Sequence, residues 1–274
     1  MEYRTLGRTG ERVSTIGIGT WRIGANESAA EKDQEIKAIG RGVQLGINLI
    51  DTAEAYSSGR SEQIVGESIK GRRNDVFIAT KVSAENLRRD DVLEACEASL
   101  RRLGTTYIDL YQVHWPNPGV PIRQTMGAME KLVYEGKVRF IGVSNFSVRE
   151  TEAAKEALTK NELVSNQVEY SFANRWVESE LLPYCSKDKV TLIAYSPLNR
   201  GNISGAGTPE VLLQKYRMTP AQLMLNWVTR YEIVMAIPKA ASLSHMEENA
   251  SSVSVRFTES EYREASKAWE AERP

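Results

Sequence analysis

The run VFIATKVSAENLRRDDVLEACEASLRRLGTTYIDLYQVHWP, residues Val76–Pro116, contains one full turn of the pattern that organises the chain. Val76–Val82 is a short apolar and β-branched stretch, which reads as a buried strand. In DDVLEACEASLRRLG, Leu93, Cys96 and Leu100 recur at helical intervals and share one face. Arg101, Arg102 and then Gly104 supply a helix C-terminal signal. Tyr107–His114 is a second strand-like run. A strand, a helix and a strand in that order imply parallel pairing through a crossover.

Working outward, similar β-rich runs occur at Thr15–Trp21, Ile47–Thr52, Val138–Ser144, Leu163–Glu169, Val190–Ser196 and Ile233–Pro238. Helical spacing fills nearly every interval. One such helix, SVRETEAAKEALTK, opens on Ser147 with Glu150 three residues on, a capping-box pattern. Eight strand signals in this alternation favour an α/β fold of the closed (β/α)8 TIM-barrel type. The competitor is an open doubly wound sheet. STIGIGTW has closely spaced glycines but no complete G-x-G-x-x-G leading at once into a helix, and GVSNF supplies none either. YRTLGRTGERVS reads as an N-terminal β-hairpin, with TG at its turn, covering the barrel floor. No Pro/Gly/Ser-rich linker or shift in composition divides the sequence, so residues 1–274 are expected to form a single barrel catalytic domain. The long Pro197–Thr208 connection, rich in Gly, Asn and Ser, has the length of a functional loop.

Lys plus Arg total 35 against 36 Asp plus Glu, a formal net charge of −1. This balance points away from nucleic acid and from an anionic membrane surface as partners. No run approaches the roughly 18 apolar residues of a membrane span. The opening MEYRTLGRTGERVS carries charge where a signal peptide needs an apolar core. Cys96 and Cys185 are the only cysteines, too few for a disulfide framework. The expected location is the cytoplasm.

Barrel enzymes place their reacting groups where strands end at the upper rim. Here the apolar runs end in Thr20-Trp21, Asp51, Lys81, His114-Trp115 and Ser144-Asn145, include Gln167 and Tyr195, and reach Lys239. Singly, each has a plain structural explanation. Asp51 could cap the next segment, Tyr56 could be a loop aromatic, and His114 could be a satisfied core histidine. Lys81 is harder to dismiss, because burying an unpaired ammonium is costly. With only His114 and His245 present, a metal-dependent hydrolase lacks its usual ligands, and no metal site is expected.

Together the polar groups have a chemical logic. Carbonyl reduction needs a hydride donor and an acid to protonate the developing alkoxide. Tyr56 can be that acid, its pKa lowered by Lys81, with Asp51 holding Lys81 and neutral His114 orienting the carbonyl oxygen. Two other readings stay open. Lys81 could be a Schiff-base lysine of an aldolase, or the chain could hold a cofactor as a redox-sensing subunit.

DTAEAY with Gly59-Arg60-Ser61-Glu62 downstream, Lys81 at its strand end, LYQVHWP and IGVSNF together resemble the aldo-keto reductase family, and the resemblance runs from GIGTW to PKAASLSHMEEN. It implies a (β/α)8 barrel that binds an extended nicotinamide cofactor without a Rossmann domain. It implies a catalytic set of Asp51, Tyr56, Lys81 and His114. Ser144, Asn145 and Gln167 would hold the carboxamide, and Tyr195 would stack on the nicotinamide. Ser196, Leu198 and Arg200 would follow the pyrophosphate, and Lys239, Glu248 and Asn249 the adenosine end. Thr20, Trp21, Asp51 and His245 complete the expected cofactor set. Trp21 and Trp115 would join Tyr56 and His114 around the substrate.

Two positions depart from the family pattern. Ala240 stands where Ser is common directly after the lysine, and His245 stands where Arg is common six residues after it. Both usual residues help to hold a 2′-phosphate. The expected cofactor is therefore NADP(H), with weaker discrimination against NAD(H). The Trp115–Pro121 loop is short, and the sequence ends soon after the helical pattern FTESEYREASKAWE. Both features lead to the expectation of an open site for varied small aldehydes.

Overall fold

Strand and helix alternate from one end of the chain to the other in the computed structural model, which describes residues 1–26, 28–202 and 209–270. An antiparallel hairpin, β1 (Tyr3–Thr5) and β2 (Arg12–Ser14), comes first. Eight parallel strands follow: β3 (Ile18–Gly19), β4 (Leu49–Asp51), β5 (Phe77–Val82), β6 (Ile108–Val113), β7 (Val138–Ser144), β8 (Leu163–Glu169), β9 (Thr191–Tyr195) and β10 (Val234–Ala236). They pair in chain order. The intervening helices are α1 (Ala29–Gln44), α2 (Arg60–Ser68), α3 (Arg89–Leu103), α4 (Ile122–Tyr134), α5 (Val148–Ala157), α6 (Leu181–Asp188), α7 (Glu210–Tyr216) and α8 (Pro220–Val228), with α9 (Leu243–Ser251) and α10 (Glu259–Glu270) after β10.

The curled sheet closes on itself. Gly17 N–H donates to the Ala236 carbonyl at 2.8 Å, Ala236 N–H to Thr15 at 2.9 Å and Gly19 N–H to Pro238 at 3.0 Å. The expected first strand, Thr15–Trp21, is shorter than its sequence suggests. Only Ile18–Gly19 forms a ladder, and Ile16 and Gly19 bridge singly to Ala236 and Lys239. The eighth expected strand, Ile233–Pro238, likewise contracts to Val234–Ala236. The physical reason is at the seam: Pro238 has no N–H to return, so a continuous ladder breaks into the single bridges on either side of it.

Side-chain alternation along each strand separates two cores. Phe77 and Ala79 of β5 meet Leu49, Leu110, Ile193 and Met235 inside the barrel, where Leu6 and Val13 of the hairpin segment close the floor. Ile78, between them, packs outward with Val92, Cys96 and Leu100 of α3. The expected helix ends are present. Ser147 and Glu150 form a reciprocal capping box on α5, and Gly104 ends α3 at φ 63°. No helix among the described residues is long and apolar enough to cross a membrane.

Candidate active site

The inward alternation that places Phe77 and Ala79 in the barrel also places Lys81, which is fully buried. Its ammonium has three acceptors: Asp51 Oδ2 at 2.7 Å, the Thr52 carbonyl at 2.8 Å and the Tyr56 hydroxyl at 3.3 Å. Burial opposes the charge on Lys81, but Asp51 and the Tyr56 phenol outweigh it and raise the lysine pKa. The ion pair is enclosed, with exposures of 0% and 2% for the two side chains.

Tyr56 is carried on a tight 3-10 turn, Tyr56–Gly59, in which Ser57 and Ser58 take left-handed φ values of 50° and 54°. The turn is anchored by the Ser57 hydroxyl, which donates to the Ile23 carbonyl at 2.8 Å. The tyrosine ring stands edge-on to His114, with centroids 5.6 Å apart at 74°. Burial pushes the phenol pKa above its ordinary value. Lys81 pulls it back, and Asp51 adds to the rise. The expectation of a net more acidic phenol is therefore corrected: the ammonium acts in that direction, but enclosure outweighs it. Burial, and then the Lys81 charge, push His114 down to about 3, so its imidazole is neutral at pH 7.

Across the barrel, Gln167 of β8 donates from Nε2 to Asp51 Oδ1 at 2.7 Å. Ser144 donates to the Gln167 carbonyl at 2.8 Å. Asn145, at φ 63°, gives its amide protons to the His114 carbonyl and to Ser144 Oγ, each at 3.0 Å. Its Oδ1 accepts from the Tyr195 hydroxyl at 2.9 Å. Thr20 is buried and donates to the Asp51 carbonyl at 2.9 Å. Thus Asp51, Tyr56, Lys81, His114, Ser144, Asn145, Gln167, Tyr195 and Thr20 form one bonded cluster at the carboxyl ends of the strands.

The other expected residues lie around or apart from it. Trp21 and Trp115 are about half exposed, at 48% and 50%, on the loops after β3 and β6. Ser196 at φ 49° and Arg200 at φ 56° follow β9, and Leu198 between them packs against the outer core. The rest of the Pro197–Thr208 connection, residues 203–208, lies outside the described residues. Lys239 is exposed beside Gly19 at the seam. Ala240 is buried, and His245 is exposed on the first turn of α9, whose N-cap is Ser242. Glu248 accepts from Thr219 at 2.5 Å, and Asn249 is buried on the same helix.

The G-x-S-E segment has a definite structural place that sequence reading left without a role. Ser61 Oγ lies 2.7 Å from Thr20 Oγ1 and 3.0 Å from Thr52 Oγ1. Glu62, fully buried on α2, accepts from Thr80 and from Arg102, each at 2.6 Å. A carboxylate on the apolar face of a short helix, beside Ile64 and Val65, is the signal that marks it. Strain also gathers at this end of the barrel. Of the nine non-glycine residues with positive φ among the described residues, Arg22, Ser57, Ser58, Asn145, Ser196, Asn199 and Arg200 all follow barrel strands, whereas Lys189 and Arg217 are helix C-caps.

Comparison with known proteins fits this geometry. The profile of the Aldo/keto reductase family matches residues 15–270. The chain is similar to methylglyoxal reductase YeaE of Escherichia coli K12, 38% identical over 93% of this chain and 91% of that protein. It is also similar to the crystal structure of the thermostable aldo-keto reductase Tm1743 with the inhibitor epalrestat, at a TM-score of 0.93 and 39% identity over 98% of this chain and 100% of that one. An aldo/keto reductase from Klebsiella pneumoniae, solved with NADP and acetate, superposes at a TM-score of 0.90 with 36% identity over 97% and 95% of the two chains. The chain belongs to the aldo/keto reductase family of oxidoreductases.

Proposed function

We propose that this protein reduces small aldehydes and ketones to alcohols with NADP(H), using Tyr56 as general acid and residues 1–274 as one catalytic domain. The observation that carries the proposal is the buried Asp51–Lys81–Tyr56 chain with neutral His114 beside the phenol. The donor set fits a nicotinamide cofactor. Gln167 Oε1 takes no hydrogen bond among the described residues, and Lys239 is exposed without an ion pair among them. When bound, such a cofactor supplies the hydride.

Tyr56 gives its hydroxyl proton to the carbonyl oxygen, and Lys81 offsets the charge left on the phenolate. Asp51 keeps Lys81 in place. His114 donates a hydrogen bond that orients the carbonyl oxygen, while Trp21 and Trp115 wall the substrate. A Schiff-base role is disfavoured, because it needs a neutral amine and Lys81 is held charged with its protons given to three acceptors. Ser144 and Asn145 stand beside Gln167 as carboxamide partners, with Tyr195 as the stacking ring. Ser196, Leu198 and Arg200 would follow the pyrophosphate, and Glu248 and Asn249 the adenosine. A 2-oxoaldehyde, as in the name of the Escherichia coli relative, is the substrate class to try first. Balanced charge and two buried free cysteines fit a reducing, cytoplasmic setting.

Tyr56→Phe tests the acid assignment. It should lower kcat by roughly 100-fold or more while NADPH affinity stays within about threefold of wild type. A variant retaining wild-type kcat sinks the assignment. Lys239 and the N-terminus of α9 remain to hold a 2′-phosphate, but Ala240 brings no hydroxyl and His245 lacks the forked guanidinium of an arginine. NADPH should thus exceed NADH in kcat/KM, and His245→Arg should widen the margin. A clear NADH preference in the wild type refutes NADP(H) as the cofactor.

A further inference from the structure

Asp51 is served from two sides. Lys81 Nζ binds Oδ2 from the neighbouring strand, and Gln167 Nε2 binds Oδ1 from across the barrel. The second bond joins β8 to β4, residues 116 positions apart, inside a closed interior. Each carboxylate oxygen therefore has its own donor, which fixes the plane of the carboxylate rather than its distance alone. The same bond fixes the Gln167 amide. With one N–H of its amide given to Asp51, Gln167 keeps its amide plane fixed, and Oε1 takes no bond among the described residues. A primary amide entering from the mouth finds an acceptor in Oε1.

We propose that Gln167 is a positioning residue for proton transfer: it sets Asp51, and through Asp51 and Lys81 the Tyr56 hydroxyl, so that binding of a carboxamide on its Oε1 is coupled to the acid. The coupling runs along one unbroken line, Oε1–Gln167–Asp51–Lys81–Tyr56, with bonded steps of 2.7, 2.7 and 3.3 Å. It rests on the cofactor reading above. Loss of the Gln167 N–H leaves one oxygen of a buried carboxylate without its donor. The carboxylate then draws harder on Lys81 and bears more strongly on the phenol, and both effects make the phenol a weaker acid. Tyr56 is faced by Lys81 from β5, Asp51 from β4, His114 beyond β6 and Tyr195 from β9. Lys81 and Asp51 are the two of these that the Gln167 bond reaches.

Two measurements on Gln167→Leu test this. The first is the pH profile of kcat with saturating NADPH. Reduction needs a protonated phenol, so activity falls at high pH. The basic limb of the variant should move upward by roughly half a pH unit or more, a shift that loss of a binding contact alone would not produce. The second is a double-mutant cycle on NADPH binding, read by protein fluorescence, with Asp51→Asn as the partner. Asp51→Asn places an amide opposite Gln167 and turns the glutamine over, so that an N–H replaces Oε1 at the mouth. It should weaken NADPH binding by roughly fivefold in the wild-type background and by less than about twofold in Gln167→Leu. An unmoved basic limb in a folded variant overturns the proposal. Equal effects of Asp51→Asn in both backgrounds also overturn it, and this arm needs no activity. A wild-type protein that does not bind NADPH at all would instead overturn the cofactor reading beneath it.

Discussion

His114 makes the sharpest statement about pH. Its folded pKa is depressed to about 3, against an unfolded value of roughly 6.5. Between those values the unfolded chain binds a proton that the folded chain refuses, so stability is lost as pH falls below about 6.5. The loss by pH 5 is at most about 2 kcal/mol. Urea midpoints at pH 7 and pH 5 for wild type and His114→Gln check this: the wild type should lose more than the variant. Equal losses would mean that His114 does not titrate in this way. At this scale the sequence was informative about residue type and less so about environment. Asp51, Lys81 and His114 could be picked out because each is a polar group at the end of an apolar run. The enclosure that raises Tyr56 was not visible, because it depends on which loops fold over the mouth. The Gln167–Asp51 bond was not visible either, since strand order brings two residues to one interior but does not choose their rotamers.

Among the elements, the seam between β3 and β10 is where geometry is least forgiving. A Cβ on Gly19 would lie 2.5 Å from the Ile237 carbonyl oxygen, and a backbone atom cannot swing aside. Gly19→Ala should cost roughly 1–3 kcal/mol, read as a lower urea midpoint at unchanged slope. No change in midpoint would show that the seam relaxes freely. The strands of the middle sheet were legible because a parallel strand covered on both faces is a continuous apolar run. The α5 capping box and the Gly104 cap were legible because each is a local bond pattern within a few residues. The ends of the first and last barrel strands were not, because their pairing depends on each other across the whole chain and stops at Pro238.

For the molecule as a whole, strand length predicts where it opens. β5 to β8 run six or seven residues each, whereas β3, β4 and β10 have two, three and three. Amides of the short seam strands should exchange through smaller openings than those of β6 to β8, as hydrogen exchange under native conditions would show. Uniform protection around the barrel would contradict this. The floor has a different consequence. Leu6 and Val13 stopper the lower end, and Arg4 is tied there to the carbonyls of Val234 at 2.6 Å and Thr229 at 2.7 Å. With Phe77, Leu110 and Met235 packed above that floor, the polar cluster is reached from the carboxyl ends of the strands. On the proposed function, carbonyl, alcohol and the proton that recharges the phenol would all pass at that end, so turnover limited by release should slow in viscous solvent.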